Sequence, residues 1–187
     1  MSSESRDELI DILVREAYVE RQVTLASGKV SDYYLDCRPV MLLPRGSYLA
    51  GELMLDLIAA EGIEQISGMA VAAIPVISSI IAAAYRRNIP LRGCFVRKET
   101  KSHGMQKRIE GAFKPGLKTA VLDDAVTTGG STLEALALLR EAGANVTHCF
   151  ALVDRNEGGR EALINAGVKY QFVVDANDIR AAARSRK

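Results

Sequence analysis

The chain has 187 residues, 48% of them apolar, and its 24 basic side chains nearly balance 23 acidic ones. That length supports one sizeable core with at most a small second unit, and the charge balance gives no net field that would draw nucleic acid or a membrane surface. Cys37, Cys94 and Cys149 are odd in number, far apart and without a C-x-x-C pair, which argues against a disulfide framework or a zinc site.

Residues 2–8 are polar and acidic rather than a basic stretch before an apolar run, so no signal peptide is expected and the protein is read as cytoplasmic. Residues 6–17 place Leu9, Ile10, Leu13 and Ala17 at helical spacing, and residues 23–35 read as two short strands around Ser27-Gly28-Lys29. Together they predict a small amino-terminal cap over residues 1–40. Residues 45–60 predict a helix ended near Gly62, 65–70 a short strand, 77–85 a helix and 91–96 a strand. The longest apolar stretch, residues 69–85, carries Pro75, Ser78 and Ser79 and falls short of the ~20 apolar residues that span a bilayer. Residues 119–122 have the β-branched character of a buried strand, and Leu133, Leu136, Ala137 and Arg140 begin a helical period that Gly143 ends. Residues 146–153, 157–166 and 169–174 then repeat strand, helix, strand. Such alternation predicts a parallel α/β sheet flanked by helices, with right-handed crossovers, forming one domain over residues 1–187.

Between the strand at 119–122 and its helix stands Asp123-Asp124-Ala125-Val126-Thr127-Thr128-Gly129-Gly130-Ser131-Thr132. Two carboxylates thus sit at the carboxyl end of a strand, where open parallel sheets bind ligands, and the glycine- and hydroxyl-rich turn aims N–H groups at an anion. Acidic groups beside a bare phosphate repel it unless they contact sugar hydroxyls or a cation, and a phosphorylated ribose with Mg²⁺ meets both conditions. No G-x-G spacing and no Gly-Lys-Ser/Thr triplet occurs, which excludes a dinucleotide turn and a P-loop. Residues 97–111 carry five basic and two acidic side chains with almost nothing to bury. A loop of this length leaving a strand's carboxyl end over the same edge fits a cationic lid. His148, in an apolar strand, reads as structural.

The run from Val121 to Thr132 resembles the phosphoribosyl pyrophosphate (PRPP) signature of the type I phosphoribosyltransferases. Thr24-Leu25-Ala26-Ser27-Gly28-Lys29-Val30-Ser31-Asp32-Tyr33-Tyr34, Arg97-Lys98-Glu99-Thr100-Lys101-Ser102-His103-Gly104 and Asp154-Arg155 are similar to segments of the orotate phosphoribosyltransferases, in matching order over most of the chain. The resemblance implies a type I fold with a base-recognition cap, transfer of ribose 5-phosphate from PRPP to orotate in pyrimidine synthesis, and Mg²⁺ as cofactor. It implies a homodimer whose flexible loop, residues 97–111, reaches the neighbouring subunit's site. PRPP is expected on Arg97, Lys98, Lys101, His103, Asp123, Asp124, Ala125, Val126, Thr127, Thr128, Gly129, Gly130 and Ser131. Lys29, Thr127, Arg155 and one of Tyr33 and Tyr34 are expected on orotate; successive strand residues face opposite sides, so only one tyrosine can stack on the ring. Lys101, His103 and Asp124 are the expected catalytic groups, and Asp123 and Asp124 hold Mg²⁺ directly or through ribose hydroxyls. Two departures stand out: Ala26 replaces a lysine before Ser-Gly, and Ala72-Ala73 replaces a lysine and glycine before Ile-Pro. Lys29 and Arg87 are the candidates to compensate. A purine phosphoribosyltransferase and a non-catalytic PRPP sensor are the competing functions. A sensor is expected to carry a basic surface or an added nucleic-acid-binding domain.

Overall fold

The computed structural model describes residues 3–24, 30–98 and 108–186. Helix α1 (Ser3–Glu16) buries Leu9, Ile10, Ile12 and Leu13 on one side. Four two-residue strands follow: β1 (Tyr18–Val19), β2 (Val23–Thr24), β3 (Val30–Ser31) and β4 (Tyr34–Leu35), with β1 antiparallel to β4 and β2 to β3. Where two short strands are expected over residues 23–35, β2, β3 and β4 stand instead, and residues 25–29 lie outside the described residues. A short helix α2 (Arg38–Met41) leads to α3 (Pro44–Ala60), and both start on a proline-containing first turn, where a missing N–H costs nothing.

The main sheet begins with β5 (Gln65–Gly68), followed by α4 (Ala73–Arg86), β6 (Arg92–Val96), β7 (Ile109–Gly111), β8 (Lys118–Val126), α5 (Gly130–Glu141), β9 (Asn145–Asp154), α6 (Gly159–Asn165), β10 (Lys169–Asp175) and α7 (Ala176–Arg184). Its strand order is β10-β9-β8-β5-β6-β7, parallel throughout except for β7, which runs antiparallel to β6. The sheet is covered on both faces, as the alternation of β8 and β9 requires. Leu122, Phe150 and Leu152 join Leu13, Leu55 and Ile80 on one side, and Val121, Cys149 and Ala151 join Leu136, Leu139 and Leu163 on the other. Cys37, Cys94 and Cys149 are all buried free thiols. Among the described residues no helix is long and apolar enough to cross a membrane.

Three expectations are corrected. The acidic pair does not follow its strand but belongs to it: β8 continues four residues past Leu122, because its ladder to β9 runs through Asp123↔Ala151 and on to Val126↔Asp154. The helix after β5 starts at Ala73 instead of 77, with Pro75 in its first turn. The charged loop ends sooner than its composition suggests, since Ile109–Gly111 pairs with Cys94–Val96 and Ile109 packs against the second core cluster.

Helices α3 and α4 approach most closely at Gly51, where an added Cβ would lie 2.7 Å from the Ser79 carbonyl oxygen. That neighbour is backbone and cannot swing away. Gly51→Ala should cost about 1–3 kcal/mol by forcing the helices apart, read as a Tm lower by roughly 2–12 °C for a chain of this size. An unchanged Tm in thermal denaturation would show that the two helices separate freely.

Candidate active site

Winding from β5 proceeds to β6 on one side and through β8, β9 and β10 on the other. At such a reversal the connections leave neighbouring strands toward opposite faces and a crevice opens at their carboxyl ends. A cleft of about 560 Å³ lies there. The cleft is lined by residues 34–38 of the cap, residues 69–72 after β5, and Asp123, Asp124 and Ala125 with Thr127, Ser131 and Arg155. Lys98 reaches the same space from the end of β6.

Glycines set the backbone of this region. Gly68 brings β5 against β8 so closely that a Cβ would stand 2.4 Å from the Leu122 carbonyl oxygen. Past it, the Ala70–Val71 peptide is cis and the Ala70 N–H donates to the Val96 carbonyl at 2.7 Å. Gly129, at φ 80°, turns the chain from β8 into α5. Gly159, which the sequence reading did not single out, donates its N–H to the Thr127 carbonyl at 2.9 Å, and a Cβ there would lie 2.5 Å from that same oxygen. The start of α6 thereby braces the turn.

The acidic pair is poorly compensated. Asp123 accepts from Thr132 Oγ1 at 2.6 Å and from the Asp124 N–H at 3.0 Å, while Asp124 accepts from the Ala125 N–H at 2.9 Å. Among the described residues neither forms an ion pair. Burial first, then the neighbouring Asp124 charge, pushes Asp123 up to about 7; burial likewise raises Asp124. No group of three or more His, Cys, Asp or Glu side chains placed to hold a metal ion together stands among the described residues.

Arg155 follows β9 directly, with its N–H bonded to the Val126 carbonyl at 3.0 Å. Its side chain is 5% exposed and lies 3.0 Å from Glu157 Oε1 through Nε, yet Nε and Nη2 make no hydrogen bond. The guanidinium rests on the Tyr33 ring, 5.0 Å from its centroid. Tyr33 itself is buried between Tyr18, Arg155 and Arg180, whereas Tyr34 lines the cleft. The two adjacent tyrosines thus have different surroundings, and Tyr34 is the one that lines the cleft.

Of the other expected site residues, Thr128, Gly129 and Gly130 form the turn into α5. Val126 is corrected: its side chain is buried in the core beneath the cleft. Arg97 is corrected too, since Nη1 pairs with Glu110 at 3.1 Å across β6 and β7 and the side chain borders a neighbouring hollow instead. Arg87 does not compensate for Ala72, because it is engaged by Asp56 at 2.6 Å and Glu52 at 3.7 Å at the far end of α4. Lys29, Lys101 and His103 lie outside the described residues. Asp36 and Arg38, which the sequence reading passed over, line the cleft; a charged pair two residues apart gives no signal that distinguishes it from an ordinary surface pair.

No family model matches the chain. The orotate phosphoribosyltransferase of Rhodopirellula baltica is 38% identical over 188 residues, covering 95% of this chain and 97% of that protein. The orotate phosphoribosyltransferase of Sorangium cellulosum is 39% identical over 176 residues, covering 92% of each. Among solved structures, Mycobacterium tuberculosis H37Rv orotate phosphoribosyltransferase in complex with PRPP matches with a TM-score of 0.79 at 32% identity, over 94% of this chain and 98% of that one. On identity sustained over almost the whole of both chains, and on a parallel sheet flanked by helices that matches theirs, the chain belongs to the orotate phosphoribosyltransferases of the type I phosphoribosyltransferase fold.

Proposed function

We propose that this cleft transfers the 5-phosphoribosyl group of PRPP to a ring nitrogen of orotate, giving orotidine 5′-monophosphate and pyrophosphate on the way to UMP. The observation that carries the reading is the juxtaposition, at one strand reversal, of an uncompensated acidic pair, a threonine- and glycine-rich turn and a buried guanidinium with unpaired N–H groups. The bond from C1 of the ribose to the pyrophosphate oxygen breaks and its electron pair leaves with pyrophosphate, while the ring nitrogen gives up its proton to the departing pyrophosphate or to water and forms the new bond to C1. Positive charge grows on the ribose and negative charge on the leaving group, so catalysis rests on fixed charges and exclusion of water.

The turn of Thr127, Thr128, Gly129, Gly130 and Ser131 cradles the 5′-phosphate at the start of α5. Asp123 and Asp124 take the ribose 2′- and 3′-hydroxyls. Two carboxylates without a third protein ligand fit Mg²⁺, which binds through one or two carboxylates plus substrate oxygens and retained waters; when bound it neutralises charge between them and pyrophosphate. Tyr34 lies along the base and Arg155 pairs with its carboxylate, with Lys29 beside them. Lys98 meets the leaving group in its own cleft, while Lys101 and His103 belong to a loop that closes over the leaving group in the partner subunit of a cytoplasmic homodimer. A purine offers Arg155 no carboxylate, which favours orotate as the base.

Three outcomes test this division of labour. Activity should vanish in excess EDTA and return with MgCl₂; full turnover in chelator removes the metal. Asp124→Asn should lower turnover by about 100-fold or more through misplacement of the ribose, yet stabilise the ligand-free fold by about 1–2 kcal/mol at pH 8, since each pKa unit of relief on Asp123 is worth ~1.4 kcal/mol. Asp123, raised to about 7 in the fold, keeps a proton that the unfolded chain releases near 4, so the wild type loses stability as pH rises through that window. The mutant's advantage should therefore be largest above pH 7 and shrink toward pH 4; a pH-independent difference in denaturant midpoints would remove this account. Arg155→Ala should reduce kcat/KM for orotate roughly 30- to several-thousand-fold, the loss of a buried charged contact worth about 2–5 kcal/mol, with the KM for PRPP little changed. Full orotate preference over uracil in that variant would assign the carboxylate to Lys29.

A further inference from the structure

The wall formed by residues 69–72 brings only Met69, Ala70, Val71 and Ala72 to the cleft. It offers backbone groups and no cation, and Arg87 is held away from it at the far end of α4. The cap segment carries a guanidinium. Arg38 lines the cleft and is clamped by Asp36 through Nε to Oδ1 at 2.8 Å and Nη2 to Oδ2 at 2.7 Å, while its own backbone N–H bonds Oδ1 at 3.0 Å. We propose that Arg38 is the cation that binds the pyrophosphate of PRPP from the cap side, in place of the charge missing from residues 69–72, with Asp36 as its positioning residue. This deepens the reading above and rests on PRPP occupying the cleft.

Charge and geometry carry the argument. The described part of the cleft holds three acids, Asp36, Asp123 and Asp124, against three cations, Arg38, Lys98 and Arg155. Pyrophosphate adds several negative charges to that balance. Arg155 is buried on Tyr33 at 5% exposure and cannot follow a phosphate, whereas the Arg38 side chain is 59% exposed and still fixed in direction. A guanidinium has five N–H donors in a planar fork, and Asp36 takes only the Nε edge. The opposite edge can therefore meet a phosphate while the Asp36 pair stays intact, a geometry a lysine ammonium lacks. Holding the side chain in advance removes the cost of ordering it on binding.

Initial rates and calorimetric titration of magnesium pyrophosphate on the intact chain separate this proposal from the reading beneath it. Turnover of orotate with PRPP by the wild type tests the reading; a wild type without it sinks that reading, and the pyrophosphate titrations still judge Arg38. Arg38→Ala should raise the KM for PRPP and the Kd for pyrophosphate about 10- to 100-fold, the size of one charge-assisted contact, and change the KM for orotate less than threefold. Arg38→Lys should recover part of the loss, and Asp36→Asn should weaken PRPP less than Arg38→Ala does. Unchanged PRPP and pyrophosphate affinity in Arg38→Ala overturns the proposal, as does a rise confined to orotate. Equal losses in Arg38→Ala, Arg38→Lys and Asp36→Asn, with both substrates affected alike, would reduce the pair to a staple of the cap.

Discussion

Asp123 and Asp124 repel one another at the end of a strand most of whose other residues are buried, and the rest of the site is arranged around that repulsion. The pair is not solvated away, and no cation among the described residues bonds it; a threonine hydroxyl and two backbone N–H groups give it partial support. Burial accordingly holds both carboxyls above their ordinary range. Such a cost persists only where the surrounding packing over-determines the backbone. Here β8 is fixed by β5 from Thr119 to Leu122 and by β9 from Lys118 to Val126, so the acidic pair keeps a parallel neighbour on the β9 side.

Close backbone approaches keep the lip of that sheet from relaxing. Gly68 draws β5 against Leu122 and Gly159 draws α6 against Thr127, each at a spacing that excludes a side chain. The acidic pair is thus gripped from the β5 side by one glycine, and the turn that follows it is gripped from the α6 side by another. Flexibility in the cradle would let the carboxylates swing toward water and release that repulsion. Stability is given up at this edge and recovered in the two apolar layers on either side of the sheet.

What the sequence made readable follows from how local its cause is. The cradle was legible because its carboxylates, hydroxyls and glycines are contiguous, and residues 119–122 announced the strand beneath it. The strand's true end was not, because Asp123 and Asp124 break the apolar run while continuing the ladder to β9. Ile109–Gly111 has no pattern of its own and becomes β7 only through pairing with β6. Helix α7 was passed over although Asp175 caps it, its side chain accepting from the Asn177 N–H, a signal the sequence does carry. The split between Tyr33 and Tyr34 depends on Arg155 and Arg180, more than a hundred residues away, closing over one ring.

The cleft's two arginines are held in opposite states, and the difference divides their work. Arg38 is already paired with Asp36, so it costs little while the site is empty and adds attraction when more anion arrives. Arg155 is buried against Tyr33 and ion-paired with Glu157, yet Nε and Nη2 make no hydrogen bond, so part of its desolvation penalty stands until a second carboxylate meets it. A ligand that lacks that carboxylate leaves the penalty in place, and selectivity of this kind exceeds what a matching pocket shape alone provides. On the proposed reading, the base is selected by the guanidinium left partly unpaired without it, while the pyrophosphate meets a guanidinium that already has a partner.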